Sequence, residues 1–315
     1  MSNAVPDTQS ELGKVVFVGA GPGNPDLLTV RAREVLETSA IAITDAEVSS
    51  GVREMVAQQV PVPQELLDAA EAEYERICAA AKEAGARRKP PRPAPPTAAV
   101  FEEVEGDVVK QLREALTRAE GRDVIRLVTG NPLNRESIKA EISAVANAGM
   151  EFQVVPGMSL PSTVPSFAGI ALGATYTEAD ITEGADWDGL ASATQPLVLQ
   201  ATADDLPVIS RELVERGMPA DTEAYVTVHG TTRLQRTHET TLGTLGKLDA
   251  ELPGVLVVTL GRSFDDRSKY SWWENRSLYG WRVLVPRTKE QAAAMSARLA
   301  GHGAIPQSVP TISVE

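Results

Sequence analysis

The sequence predicts an α/β fold in two lobes, followed by a small βαβ fragment. Three observations carry this expectation. A strand runs straight into a glycine turn and a helix near the start of the chain, strand-sized apolar runs recur and end at glycine or proline, and the 315 residues are 43% apolar. Such a length corresponds to about two domains of roughly 150 residues, with enough apolar mass for buried cores.

Residues 1–12 are polar and unpatterned and read as a flexible N-terminus. Residues 14–18 form an apolar run that breaks into Gly19-Ala-Gly-Pro-Gly-Asn-Pro25, a strand feeding a turn. Leu27, Leu28, Val30, Ala32, Val35 and Leu36 then recur at helical spacing, with Asn24 placed to cap the helix and Pro25 suited to its first turn. Residues 40–44 read as a second buried strand ending at Asp45, which completes a βαβ unit. An Ala- and Glu-rich run over 64–88 predicts a helix that empties into Arg87-Arg-Lys-Pro-Pro-Arg-Pro-Ala-Pro-Pro96. Proline fixes φ and lacks a backbone donor, so this tract, inside an insertion over 62–100, is expected to be an exposed linker. Helical spacing resumes over 104–119, a strand is expected over 123–128 ending at Thr129-Gly-Asn-Pro132, a helix over 136–148, and a strand over 152–155 before Pro156-Gly157.

These elements make a first lobe, 13–156. The second, 157–265, is expected to continue the βα alternation through strands at 197–200, 223–228 and 255–260 and a helix at 206–216. A polar and aromatic connector, 266–280, leads to a strand at 281–285, a helix at 289–300 and a strand at 307–314. The resulting fragment, 281–315, is too small to bury a core alone.

Composition excludes several functions. With 30 Lys and Arg against 43 Asp and Glu the net charge is −13, so non-specific nucleic-acid binding is not expected. One cysteine, Cys78, leaves no internal disulfide and no CxxC site, which points to an intracellular protein. No apolar stretch approaches a membrane span and no signal-peptide core opens the chain, so no membrane partner and a cytoplasmic location are expected. His229, His238 and His302 lack metal-ligand spacing, so no metal is expected. Trp272, Trp273 and Trp281 read as packing between lobes.

Chemistry is expected where strands end. The Gly19–Gly23 turn offers backbone amides and a helix dipole to an anionic or nucleotide-like ligand, although Pro22 and the missing third glycine disfavour hydride-transfer cofactors. A tight loop with no ligand is the alternative. Asp45, at the carboxyl end of the second strand, is suited to accepting a proton, or to capping a turn. Thr129, Gly130, Asn131 and Asn134, then Gly157 with Ser159 and Ser162, then Gly230-Thr-Thr232, repeat the arrangement. Four such loops on carboxyl-end connections outline one wall of a cleft.

Val16-Phe-Val-Gly-Ala-Gly-Pro-Gly-Asn-Pro-Asp-Leu-Leu-Thr-Val-Arg-Ala32 closely resembles the opening of the tetrapyrrole methylases, in particular the uroporphyrinogen-III C-methyltransferases. The resemblance runs in the family's order through Asp45-Ala-Glu-Val48, Val155-Pro-Gly157, Phe167-Ala-Gly-Ile170, Gly217-Met-Pro-Ala-Asp221 and Gly230-Thr-Thr-Arg-Leu-Gln-Arg236 to Ser268-Lys-Tyr-Ser-Trp-Trp273. It implies a two-lobed tetrapyrrole methylase fold, usually a homodimer, with S-adenosyl-L-methionine in a cleft between the lobes. It also implies methyl transfer to ring carbons of uroporphyrinogen III, giving precorrin-2 on the way to sirohaem and cobalamin and leaving S-adenosyl-L-homocysteine. By the same resemblance Asp45 is the proton acceptor, and Pro22, Thr129, Gly130, Asn131, Asn134, Ser159, Leu160, Ala201 and Gly230 line the cofactor.

The chain departs from the family in having Thr-Gly-Asn-Pro for Gly-Gly-Asp-Pro, Ala201 for a methionine, and Leu133-Asn-Arg-Glu-Ser-Ile-Lys139 for an arginine- and glycine-rich segment. These changes keep a second reading open, a non-catalytic methylase-like module. Leu278-Tyr-Gly-Trp-Arg-Val-Leu-Val-Pro-Arg-Thr288 resembles the start of uroporphyrinogen-III synthase, which implies a methyltransferase and synthase fusion of which only the first synthase βαβ is present.

Overall fold

The computed structural model describes residues 13–39, 41–59, 64–83, 90, 100–119, 121–248, 250–261, 266–286 and 289–309. Apart from Pro90, the proline tract lies outside the described residues, as do residues 1–12 and 310–315. The chain forms two compact units: 1–20, 28–133 and 138–157 make the first, and 21–27, 134–137 and 158–315 the second.

The first unit contains β1 (Val15–Gly19), α1 (Val30–Thr38), β2 (Ile41–Thr44), α2 (Ser50–Gln59), α3 (Gln64–Glu83), β3 (Val100–Glu103), α4 (Val108–Arg118), β4 (Val124–Val128), most of α5 (Glu136–Asn147) and β5 (Phe152–Val155). Its strands form one parallel sheet in the order β3-β2-β4-β1-β5. Central strands of such a sheet are covered on both faces, which is why β1 and β2 read as apolar runs and β4 as one broken only by Arg126. Alternation sends Val15, Phe17, Ile43 and Val128 to the face packed by Leu112 of α4 and Ile138 of α5. Val16, Val18, Ala42 and Leu127 face Leu36 of α1 and Val52 of α2.

The first helix starts later than its spacing suggests. Residues Pro25–Leu27 form a separate short 3-10 turn, closed by Asn24, whose Oδ1 accepts the Asp26 amide at 3.1 Å. Helix α1 begins at Val30, capped by the Thr29 hydroxyl, which accepts the Ala32 amide. Asp107 likewise delays α4 by taking the amides of Val109 and Lys110. Strand β3 and helix α2 were not evident as patterns.

The second unit contains α6 (Leu160–Ala168), β6 (Thr177–Asp180), α7 (Trp187–Ser192), β7 (Leu197–Ala201), α8 (Leu206–Glu215), β8 (Glu223–Val228), β9 (Arg236–Thr241), β10 (Leu256–Leu260), α9 (Arg267–Tyr270), β11 (Arg282–Val285), α10 (Lys289–Gly301) and β12 (Ile305–Ser308). Here the expected βα alternation gives way to a mixed sheet, β6-β7-β10-β8-β9. Only β6 and β7 run parallel, and every other pairing is antiparallel. The chain reverses after β8 into β9, whose sequence Arg-Thr-His-Glu-Thr-Thr carries no apolar run because it forms a half-exposed edge. Leu199, Leu213, Val226 and Val258 are wholly buried in this unit's main core.

Strands β11 and β12 pair in parallel as a separate two-stranded sheet; β12 begins at Ile305, two residues before the expected start. The aromatic side chains of Trp272 and Trp273 pack on Phe167 of α6 inside this unit, with ring centroids 5.1 and 4.9 Å from it, while Trp281 stays 67% exposed. No described helix is long and apolar enough to cross a membrane.

Candidate functional site

At the carboxyl edge of the first sheet three loops cross backbone on backbone. A Cβ at Gly19 would lie 2.5 Å from the Gly130 carbonyl oxygen and the Gly157 amide nitrogen, and one at Gly157 would lie 2.2 Å from that same oxygen. Gly19 and Gly157 are therefore required for packing, while Gly130 occupies the left-handed region at φ 73°. Gly157→Ala is expected to cost about 1–3 kcal/mol by overpacking. A lowered urea midpoint would record it, and an unchanged midpoint would mean that the loops separate freely.

Beside this crossing lies a buried ion cluster that sequence reasoning missed. Arg126, with its side chain 2% exposed, donates from Nη2 to Asp45 Oδ1 at 2.7 Å and from Nε and Nη2 to the Glu141 carboxylate at 2.8 and 3.0 Å. Burial opposes its charge, yet the Glu141 hydrogen bond and the attraction of both carboxylates outweigh that and hold the guanidinium above its usual pKa. The signal was present in Val-Ile-Arg-Leu-Val: a cation inside a fully buried parallel strand needs an anionic partner. Arg53 of α2 adds a bond to the Asp45 carbonyl at 2.8 Å and pairs with Glu103 at 3.2 Å. Asp45 is thus held from both its carboxylate and its main chain.

Thr129 and Thr44, at the carboxyl ends of β4 and β2, each carry a buried hydroxyl with no hydrogen-bond partner among the described residues. Buried polar groups are almost always paired, so an unsatisfied hydroxyl beside Gly130 suits a polar ligand atom. On that observation the Thr129-Gly130 loop fits the cofactor implied by the sequence. Asn131 is half-buried in the same loop, and Asn134 is exposed in the second unit.

In the second unit the segment containing Pro22, the turn at Gly230 and helix α6 come together. The Asn24 amide donates to Thr231 Oγ1 at 3.2 Å, and the Gly230 backbone lies so close to α6 that a Cβ there would fall 2.4 Å from Val164. Ser159 caps α6, accepting the Ser162 amide at 3.3 Å and also bonding Glu178 at 3.3 Å. Leu160 is buried against Val164, Val198 and Val257. Ala201 is wholly buried in the main core of this unit, main chain and methyl group alike.

The first turn of α5 takes its acceptor from a distant loop. Glu183 accepts the Ser137 amide at 2.9 Å and the Ser137 hydroxyl, and lies 3.7 Å from Arg135 Nε. Burial raises the carboxyl pKa, but the Ser137 bonds and Arg135 together bring it below the usual range. A depressed folded-state value stabilises the fold at neutral pH and loses that effect as the pH falls through it. The stability difference between wild type and Glu183→Gln is therefore expected to be largest near pH 7 and to close below about pH 4. Thermal midpoints across pH measure it, and a difference that grows in acid would refute it.

A family profile described as Tetrapyrrole (Corrin/Porphyrin) Methylases matches residues 14–246. A siroheme synthase of Thiobacillus denitrificans is 30% identical over 273 residues, covering 83% of this chain and 50% of that protein. The chain thus spans about half the length of the curated relatives it matches. Uroporphyrin-III C-methyltransferase from Thermus thermophilus, solved with S-adenosyl homocysteine, superposes with a TM-score of 0.55 at 20% identity over 79% of this chain and 98% of its own. The cobalamin biosynthetic enzyme cobalt precorrin-4 methyltransferase gives 0.58 at 18% identity over 82% and 98%. With the α/β fold, the strand-end loops and the profile in agreement over most of its length, the chain belongs to the tetrapyrrole methylase family.

Proposed function

We propose that the chain is an S-adenosylmethionine-dependent C-methyltransferase acting on uroporphyrinogen III towards precorrin-2, in the sirohaem and cobalamin branch of tetrapyrrole synthesis. The observation that carries this reading is Asp45, anchored by buried Arg126 at the carboxyl edge of a parallel sheet whose neighbouring loop leaves the Thr129 hydroxyl unsatisfied. Likeness to siroheme synthases over 83% of the chain supports the substrate class.

The cofactor supplies an electrophilic methyl group on a sulfonium. Pro22, Thr129, Gly130, Asn131, Asn134, Ser159, Leu160, Ala201 and Gly230 are the proposed contacts that hold it. The carboxylate of Asp45 takes the proton released from the methylated ring carbon, and Arg126, bound at Oδ1, keeps that carboxylate in one orientation. Positioning of the ring carbon supplies much of the remaining rate. Incubation with radiolabelled S-adenosylmethionine and uroporphyrinogen III is expected to give methylated product; cofactor binding without product would leave only the binding claim. Sedimentation of the same protein tests the homodimer that the family resemblance implies.

A second reading, a non-catalytic binding module, is favoured by one observation: the Ala201 side chain is packed into the core, where the family carries a methionine near the cofactor. Saturable binding of S-adenosylhomocysteine combined with turnover excludes it.

A further inference from the structure

We propose that Glu274 and Gln235 form a positioning relay that acts through Thr231 to set the glycine loop 21–27 and thereby the affinity for the cofactor. The relay rests on the reading above for its effect on affinity, and on hydrogen bonds alone for its effect on the loop. Glu274 Oε1 accepts from Gln235 Nε2 at 2.7 Å, Gln235 Oε1 accepts the Thr231 amide at 2.7 Å, and Thr231 Oγ1 accepts the Asn24 amide at 3.2 Å.

Two features distinguish this chain of bonds from ordinary packing. Thr231 is fully buried and sits at φ 64°, beside His229 at φ 49°. A β-branched residue in the left-handed region is strained, and persists there only when its surroundings over-determine it. Gln235, also fully buried, supplies that constraint: its amide bridges a carboxylate, which only accepts, and a backbone N–H, which only donates. One orientation of the amide satisfies both partners, so the side chain is locked.

Glu274 is fixed in turn by the Thr237 hydroxyl at 2.7 Å and by Arg267, 3.5 Å from Oε2. The same segment clamps the turn from another side, since Trp273 Nε1 donates to the Thr232 carbonyl at 2.9 Å and the Tyr279 hydroxyl donates to the Gln235 carbonyl at 2.6 Å. Residues 266–280, which the sequence presents as a connector, thus hold the turn that holds the loop.

Two readouts test the relay: amide hydrogen exchange of peptides covering 21–27, and titration with S-adenosylhomocysteine. Gln235→Leu removes the acceptor for the Thr231 amide and is expected to speed loop exchange and weaken binding, each by about tenfold. Glu274→Leu is expected to match it, while Glu274→Gln, which keeps an acceptor for Gln235, stays within about twofold of wild type. A merely structural role would lower the unfolding midpoint of Gln235→Leu and leave both readouts of the folded protein unchanged, which overturns the proposal. Should Gln235→Leu fail to fold, Thr231→Val, which keeps the β-branched shape and replaces only the hydroxyl that meets Asn24 with a methyl group, is expected to speed loop exchange and weaken binding in the same two readouts, and no change in either overturns the proposal. If wild type does not bind S-adenosylhomocysteine, the cofactor reading fails, and loop exchange alone upholds or overturns the relay.

Discussion

Replacing Arg126 with methionine is expected to destabilise the first unit by about 3–5 kcal/mol, the range for breaking a buried ion pair and stranding its partner charges. Asp45 and Glu141 have side chains only 14% and 16% exposed, so water does little to compensate them once the guanidinium is gone. Urea unfolding measures the loss. Adding Asp45→Asn and Glu141→Gln to Arg126→Met removes the stranded charges and is expected to recover a large part of it, because neutral side chains avoid much of the desolvation cost. A single variant within about 1 kcal/mol of wild type would show that the cluster is well solvated in the native state.

Asp45→Asn is expected to lower turnover by about 10²–10⁴, the usual contribution of one positioned acid–base group, while leaving S-adenosylhomocysteine affinity near the wild-type value. The amide is nearly isosteric and retains an oxygen for Arg126, and Arg126 keeps both of its bonds to Glu141, so the local structure has reason to survive. Steady-state rates set beside a binding titration separate the two effects. Equal loss of turnover and affinity would assign Asp45 to architecture and leave the proton acceptor to be sought elsewhere.

Legibility differed sharply between the two units. The runs 14–18 and 123–128 announced buried strands because a parallel sheet covered on both faces admits little but apolar residues. Edge strands have one solvated side, so β6, with Thr-Glu-Ala-Asp, and β9 carry no such run and escaped notice. Helix α6 was hidden by its prolines, Pro161 tolerated in the first turn and Pro165 inside the helix. The candidate site divides the same way. Asp45 was legible from its place after a strand, and Arg126 was overlooked although a lone cation among five strand residues is conspicuous. Glu141 and Arg126 are 15 positions apart, and no periodicity links them.

Local pattern was enough to establish an α/β chain and its glycine-marked strand ends, because strand burial and turn chemistry act over a few residues, while the family was legible only through the resemblance of motifs occurring in order along the chain. It did not distinguish a glycine that admits a ligand from one that admits another backbone, and Gly19 and Gly157 are of the second kind. Nor did it reveal that Glu274, 39 positions beyond Gln235, closes the turn on which Asn24 rests. Pairings of that sort arise when distant segments are brought within bonding distance, and their energies come from burial and partner geometry, neither of which is set by a residue's neighbours in the chain.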